Sequence, residues 1–131
     1  MKIVHKSGKR KTAIARATMK PGKGLVKINR LYLDNYNPEL ARLKIKEPLM
    51  LAGELANKFD FEVKVYGGGW QSQSEAVRLA IARCLVEANK SLKTIYLNYD
   101  RRMLVADTRR REERKPNDSS GARAKRQKSY R

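Results

Sequence analysis

Residues 12–20 alternate, with Ala13, Ala15, Ala17 and Met19 on one side of an extended segment and Thr12, Ile14, Arg16, Thr18 and Lys20 on the other. That period of two predicts a strand. Alanine favours helix, so the assignment rests on the period rather than on composition. Pro21, Gly22, Lys23 and Gly24 are turn formers, and residues 25–30 resume an alternating run, which predicts a hairpin. Asn37 before Pro38 reads as a cap and first helical position, opening a short helix through about Lys46. Pro48 would close it and offers the start of another through Asn57. The clearest strand is "FDFEVKVY", where Phe59, Phe61, Val63 and Val65 alternate with Asp60, Glu62, Lys64 and Tyr66, as a sheet with one buried face requires. After Gly67, Gly68 and Gly69 comes the clearest helix. Ser72 and Glu75 fit a capping box, and Val77, Ala80, Ile81, Cys84, Leu85 and Ala88 fall along one stripe. Residues 92–106 form a second amphipathic stretch that reads as helical. Beyond Ala106 there is no Leu, Ile, Val, Phe or Met, so a globular domain is expected over residues 1–106 and an extension over residues 107–131.

Charge sharpens that division. Residues 1–33 hold ten Lys or Arg and no acid, residues 34–100 hold nine of each sign, and residues 101–131 hold twelve bases against four acids. A neutral middle between two cationic ends is the pattern expected when both ends face one polyanion. The chain finishes on "RAKRQKSYR", five cations and one ring with no acid. Such a segment has too little apolar area to offset the entropy of ordering it, so it is expected to be disordered or held by something outside the fold, and whatever holds it should be strongly anionic. A membrane surface would want an amphipathic basic helix, which neither end offers. The longest charge-free stretch, residues 65–74, is ten residues, too short to span a bilayer. The first residues lack the apolar core of a secretory signal. The lone Cys84 has no disulfide partner and no metal-ligand spacing around it, and an intracellular protein is expected.

Enzymatic chemistry finds no footing in the sequence. His5, the single histidine, sits among lysines with no carboxylate before Asp34, a setting for a surface residue rather than a general base. No nucleophile has a base beside it, and Cys84 lies on the core stripe. The glycine triplet leading into a helix offers two readings: a cradle of backbone N–H groups for phosphate, or a tight strand-to-helix connection. "GGGWQSQS" lacks the Lys of a nucleotide-binding loop and the spacing of a dinucleotide fingerprint, so any phosphate here belongs to a nucleic acid backbone. One basic cluster alone would read as solvated charge or a nuclear targeting signal. Three clusters around a neutral core point to RNA: Lys9, Arg10 and Lys11; then Arg109, Arg110, Arg111, Arg114 and Lys115; then Arg123, Lys125, Arg126 and Lys128. The acids among them, Asp107, Glu112, Glu113 and Asp118, are expected to pair with arginine or to set local helix ends. Aromatics are sparse in these regions, so stacking of splayed bases there is not the main mode. The alternative is a free nucleic-acid-binding or nucleic-acid-processing protein that uses the glycine loop for phosphate.

Four motifs carry a resemblance. "GKRKTAIARA", "GGGWQSQSEAVRLAIARCL", "YDRRMLVADTRRREERKP" and "GARAKRQKSYR", in that order, resemble the small-subunit ribosomal protein of the S-nine family over essentially the whole chain. Ser72, Gln73 and Ser74 stand where the bacterial pattern has Gly, Gln and Ala, and Tyr130 stands where it has Lys. Both departures resemble the archaeal or eukaryotic branch. The resemblance implies an α+β fold, two layers with helices packed on a mostly antiparallel sheet, followed by a long basic extension. It implies a structural, non-enzymatic part of the cytoplasmic ribosome, without cofactor, metal or small-molecule substrate. Its implied partners are small-subunit ribosomal RNA, neighbouring small-subunit proteins and the transfer RNA of the peptidyl site. The implied ribosomal RNA contacts are the basic clusters above with Arg16, Gly67, Gly68 and Gly69, while Arg131 and Tyr130 would lie at the transfer RNA.

Overall fold

The computed structural model describes residues 2–116 and 121–123. Five strands, β1 (Val4–Arg10), β2 (Ala13–Pro21), β3 (Val26–Ile28), β4 (Leu31–Tyr32) and β5 (Phe59–Tyr66), form one sheet in the order β1-β2-β5-β3-β4. All neighbours are antiparallel except β3 with β5. Helices α1 (Glu39–Ala52), α2 (Trp70–Ala88) and α3 (Leu92–Tyr99) complete an α+β arrangement. Ala41 and Ile45 of α1 and Val77, Ala80, Ile81, Cys84 and Leu85 of α2 close on the inward residues of β2 and β5 in one core.

The alanines of β2 have a packing reason. Gly8 faces Ala15 across the ladder, and a side chain at Gly8 would overlap the backbone of Ala76 and Ala80 on α2. Glycine and alanine on the strands, met by Ala76 and Ala80 on the helix, let α2 lie close against the sheet. Only Val4 among the residues of β1 is a large apolar side chain, and this strand has no apolar alternation to read. It is held instead by Gly8 at its middle and by cations of its helix-facing side: Lys6 pairs with Glu87 at 3.3 Å and Arg10 with Glu75 at 2.6 Å, near the two ends of α2.

The hairpin expected between β2 and β3 is not formed, because β5 lies between them. The turn after Pro21 wraps the start of β5: Asp60 accepts from the backbone N–H of Lys23 and Leu25, and Gly22 donates to the Lys58 carbonyl. Those hydrogen bonds hold Asp60 below the ordinary carboxylate range. Pro48 does not end α1 but lies inside it. Its ring is buried and its carbonyl accepts from the Tyr96 hydroxyl at 2.8 Å, so packing outweighs the hydrogen bond that proline cannot donate. The capping box is not made either. Gly69 is the N-cap of α2, Ser72 is already helical, and Glu75 turns to Arg10 and Lys44. Ala88, placed in the stripe by its spacing, is exposed at the helix end. Helix α3 stops at Tyr99, where Asp100 accepts from Arg102 N–H and starts a 3-10 turn, Arg101–Met103, that buries Met103.

Candidate nucleic-acid interface

Three segments far apart in sequence meet at one end of the fold. The end of β1 and the turn after it supply Lys9, Arg10 and Lys11, with Lys11 in the left-handed region at φ 52. The glycine connection lies against it: Gly67 has φ 78, and a side chain there would press on the Thr12 carbonyl. The root of the C-terminal segment closes the group. Arg10 pairs with Asp107 at 2.9 Å as well as with Glu75, and Arg109 grips the same Asp107 through Nε and Nη2 at 3.0 and 2.7 Å. Arg83 adds a further tie, donating to the Ser7 carbonyl at 2.8 Å and to the Leu104 carbonyl at 3.2 Å. A polar cavity of about 210 Å³ opens between these groups.

The electrostatics follow from this geometry. Hydrogen bonds from Arg109, and beyond them the charge of Arg10, hold the Asp107 carboxyl far below the ordinary range. Burial pushes Glu75 up, but hydrogen bonds from Arg10 and Lys44 win and its net shift is downward. Next to this network Arg78 pairs with Glu47 at 2.5 Å and Asp100 at 3.0 Å, which ties α1 and the end of α3 to α2. Among the described residues no group of His, Cys, Asp or Glu could hold a metal ion, and no helix is long and apolar enough to cross a membrane.

Comparison with known proteins decides the family. The model of "Ribosomal protein S9/S16" matches residues 8–131. The chain belongs to this family. It is 49% identical, over the full length of both chains, to "Small ribosomal subunit protein uS9" of the archaeon Methanococcus maripaludis, strains C7 and S2. The same protein of strain C5 is equally similar. The resemblance in the four motifs, and the archaeal or eukaryotic branch indicated by Ser72–Ser74 and Tyr130, therefore hold. Ribosomal proteins of this family are a structural, non-enzymatic class.

Within this family member the expected RNA-binding residues divide by environment. Lys9, Lys11, Arg110, Arg114 and Lys115 are exposed. Arg10 is turned inward, its side chain 16% exposed between two carboxylates, so it serves the fold at this site. Arg109 and Arg111 are exposed; Arg109 carries its Asp107 partner on one side of its fork. Arg123 pairs with Glu112 through Nε at 3.0 Å and Nη2 at 2.6 Å, and Lys115 N–H meets the Gly121 carbonyl at 3.3 Å. The expected pairing of tail acids with arginine is thus realised at Asp107 and Glu112. Gly67 and Gly68 have a structural reason in their positive φ and their approach to Thr12 and Ala13. Gly69 has open space around it and begins α2 without any side-chain cap, which leaves the first turn of N–H groups for another acceptor. Arg16 stands on the open face of the sheet rather than with this group. Asp118, Lys125, Arg126, Lys128, Tyr130 and Arg131 lie outside the described residues. Sequence reasoning missed Glu75 as a partner of Arg10, and no local signal reveals a contact across sixty-five residues.

Proposed function

We propose that the chain is a structural constituent of the small ribosomal subunit in the cytoplasm that binds ribosomal RNA with its basic N-terminal turn and its C-terminal segment together. The observation that carries this reading is the clamp of Arg10 and Arg109 on Asp107, which joins the two cationic regions into one surface around a glycine connection. Lys9, Lys11, Arg110, Arg114 and Lys115 are the phosphate contacts, with Arg109 and Arg111 beside them. The N-terminus of α2 at Gly69 favours a further phosphate. Residues 1–106 act as the globular unit and residues 107–131 as the RNA-bound extension, in which Arg123, Lys125, Arg126 and Lys128 neutralise phosphate. The chain end serves the peptidyl-site transfer RNA: the fork of Arg131 suits a bidentate grip on phosphate, and Tyr130 packs or hydrogen-bonds nearby. Neighbouring small-subunit proteins complete its surroundings.

Two measurements test this. The protein should co-sediment with small subunits in moderate salt and be nearly absent from the free pool; a mainly free protein would favour a soluble nucleic-acid binder. With about eight phosphates neutralised, log K for RNA should fall with log salt at a slope of roughly −6 to −7, and a slope near zero in filter binding would overturn the reading. For the chain end, deleting Ser129, Tyr130 and Arg131 should spare subunit assembly and weaken peptidyl-site transfer RNA, most at raised salt. Equal retention across a salt series would assign these residues to ribosomal RNA alone.

A further inference from the structure

One face of the sheet lies under α1 and α2, and the other is bare among the described residues. Strand register gathers distant residues on that bare face. Lys9 stands opposite Ile14 and Ile14 opposite Tyr66; Ser7 stands opposite Arg16 and Arg16 opposite Lys64; His5 stands opposite Thr18 and Thr18 opposite Glu62. Arg16, Lys64 and Tyr66 are all exposed, Tyr66 at 52%. Like charges directly opposite each other on a sheet are destabilising. Arg16 and Lys64 nevertheless face each other with no carboxylate partner among the described residues, since the nearest acid in the register, Glu62, pairs with Lys20 at 3.9 Å. Arg16, Lys64, His5 and Thr18 share the wall of a shallow depression of about 270 Å³, with His5 Nδ1 and Thr18 Oγ1 joined at 2.9 Å. Asp60 does not offset the cations, because its carboxylate is turned into the loop at Lys23 and Leu25. The face therefore carries an excess of positive charge, an unrelieved repulsion, and an aromatic ring one row away.

We propose that this open sheet face is a second RNA-binding surface, which takes a single-stranded segment with a phosphate between Arg16 and Lys64 and a base stacked on Tyr66. A phosphate between the two cations removes their repulsion, and the guanidinium fork of Arg16 fits its oxygens in pairs. Tyr66, backed by Ile14, offers a flat apolar surface. A duplex hides the faces of its bases, whereas an unpaired base can lie on such a ring. The surface rests on the reading that the partner is RNA, but Arg16, Lys64 and Tyr66 are not among the residues that pair with Asp107.

The test uses full-length protein with two probes, a decauridine and a ten-base-pair RNA duplex, in a salt series, after each variant is checked for an unchanged thermal transition. Arg16→Gln with Lys64→Gln should reduce the magnitude of the decauridine salt slope by about 0.7, the value for one phosphate contact on a single strand. Tyr66→Ala should weaken decauridine about fivefold or more while leaving the duplex unchanged, and Tyr66→Phe should retain binding, because stacking needs the ring and not the hydroxyl. Wild-type affinity and slope in both variants would overturn the surface. If protein lacking residues 111–131 then loses binding, the function proposed above stands without it; if wild-type protein binds neither probe, both readings fail. Unchanged RNA binding with loss of co-sedimentation would assign the face to a protein neighbour and overturn the proposal. Should a variant fail to fold, photocrosslinking of wild-type protein to a 4-thiouridine decamer decides. Crosslinks in the β5 peptide support the surface, and crosslinks confined to the tail exclude it.

Discussion

Arg10 lies 2.6 Å from Glu75 and 2.9 Å from Asp107, whereas Lys9, one position earlier, is on the open side of the sheet with no ion pair among the described residues, because successive strand side chains point to opposite faces. The sequence offers both as equivalent cations, and only the strand assignment that it conceals separates them. Asp107 is the residue on which this difference turns. Its folded carboxyl titrates below its unfolded value near 3.9, so its contribution to stability is present above about pH 4 and is lost as pH falls further. Asp107→Asn should therefore destabilise the protein at pH 7 and flatten its loss of stability between pH 5 and 3, as read from urea midpoints. Tryptic cleavage after Arg109 and Arg110 should also quicken, since their anchor is gone; cleavage at the wild-type rate would mean that the clamp does not hold the segment. Cys84 gives a second check at this scale. Burial pushes its thiol up to about 11, so it should resist a disulfide reagent at pH 8 in the native protein and react at once in denaturant. Fast native labelling would contradict its place in the core.

The strands and helices were legible in proportion to how far their own residues determine them. Strand β5 alternates cleanly along its whole length, and its four apolar residues are all buried. Strand β2 was readable by period despite its alanines, whose reason is the helix seated on them. Strand β1 was invisible because its inward side is Val4, Lys6, Gly8 and Arg10, a set that becomes a helix-facing side only when Glu75 and Glu87 of α2 arrive to pair with its cations. The β2–β3 turn was recognisable by composition, but no turn states that a third strand from thirty residues later will enter between its arms. At Pro48 a local rule yielded to tertiary packing, and at Ser72 and Glu75 a plausible cap lost to ion pairs across the fold. The seat of α2 on β1 allows a direct trial. Gly8→Ala places a methyl group against the Ala76 carbonyl, an overpacking that should cost about 1–3 kcal/mol and show as a lower urea midpoint. Tyr96→Phe, which removes the hydroxyl bonded to the Pro48 carbonyl, should cost about 1 kcal/mol in the same assay.

Across the whole molecule, the charge partition identified the two cationic regions and the motifs identified the family, but neither could show that the regions touch. That contact depends on Arg10 and Asp107, ninety-seven positions apart in numbering, and on a glycine connection whose tightness is set by Thr12. The open sheet face was hidden for a related reason. Tyr66 falls in the neutral middle of the sequence and Arg16 in the basic end, and they become neighbours only through the β2–β5 register. The same contact refines the boundary that composition draws at Ala106. Among the described residues nothing beyond Met103 and Leu104 joins the apolar core, so a chain that ends at Arg110 should unfold cooperatively with nearly the stability of the full protein. A chain that ends at Ala106 loses Asp107, and Arg10 is then left partly buried with Glu75 as its only carboxylate. It should still unfold in one step, but at a lower temperature than the chain ending at Arg110, and the gap should close below pH 4, where Asp107 begins to be neutralised in the unfolded chain. Identical midpoints for the two truncations at pH 7 would show that the Arg10–Asp107 contact contributes nothing to holding the extension on the domain. Loss of a cooperative transition in both would place part of the core's stability in residues 111–131.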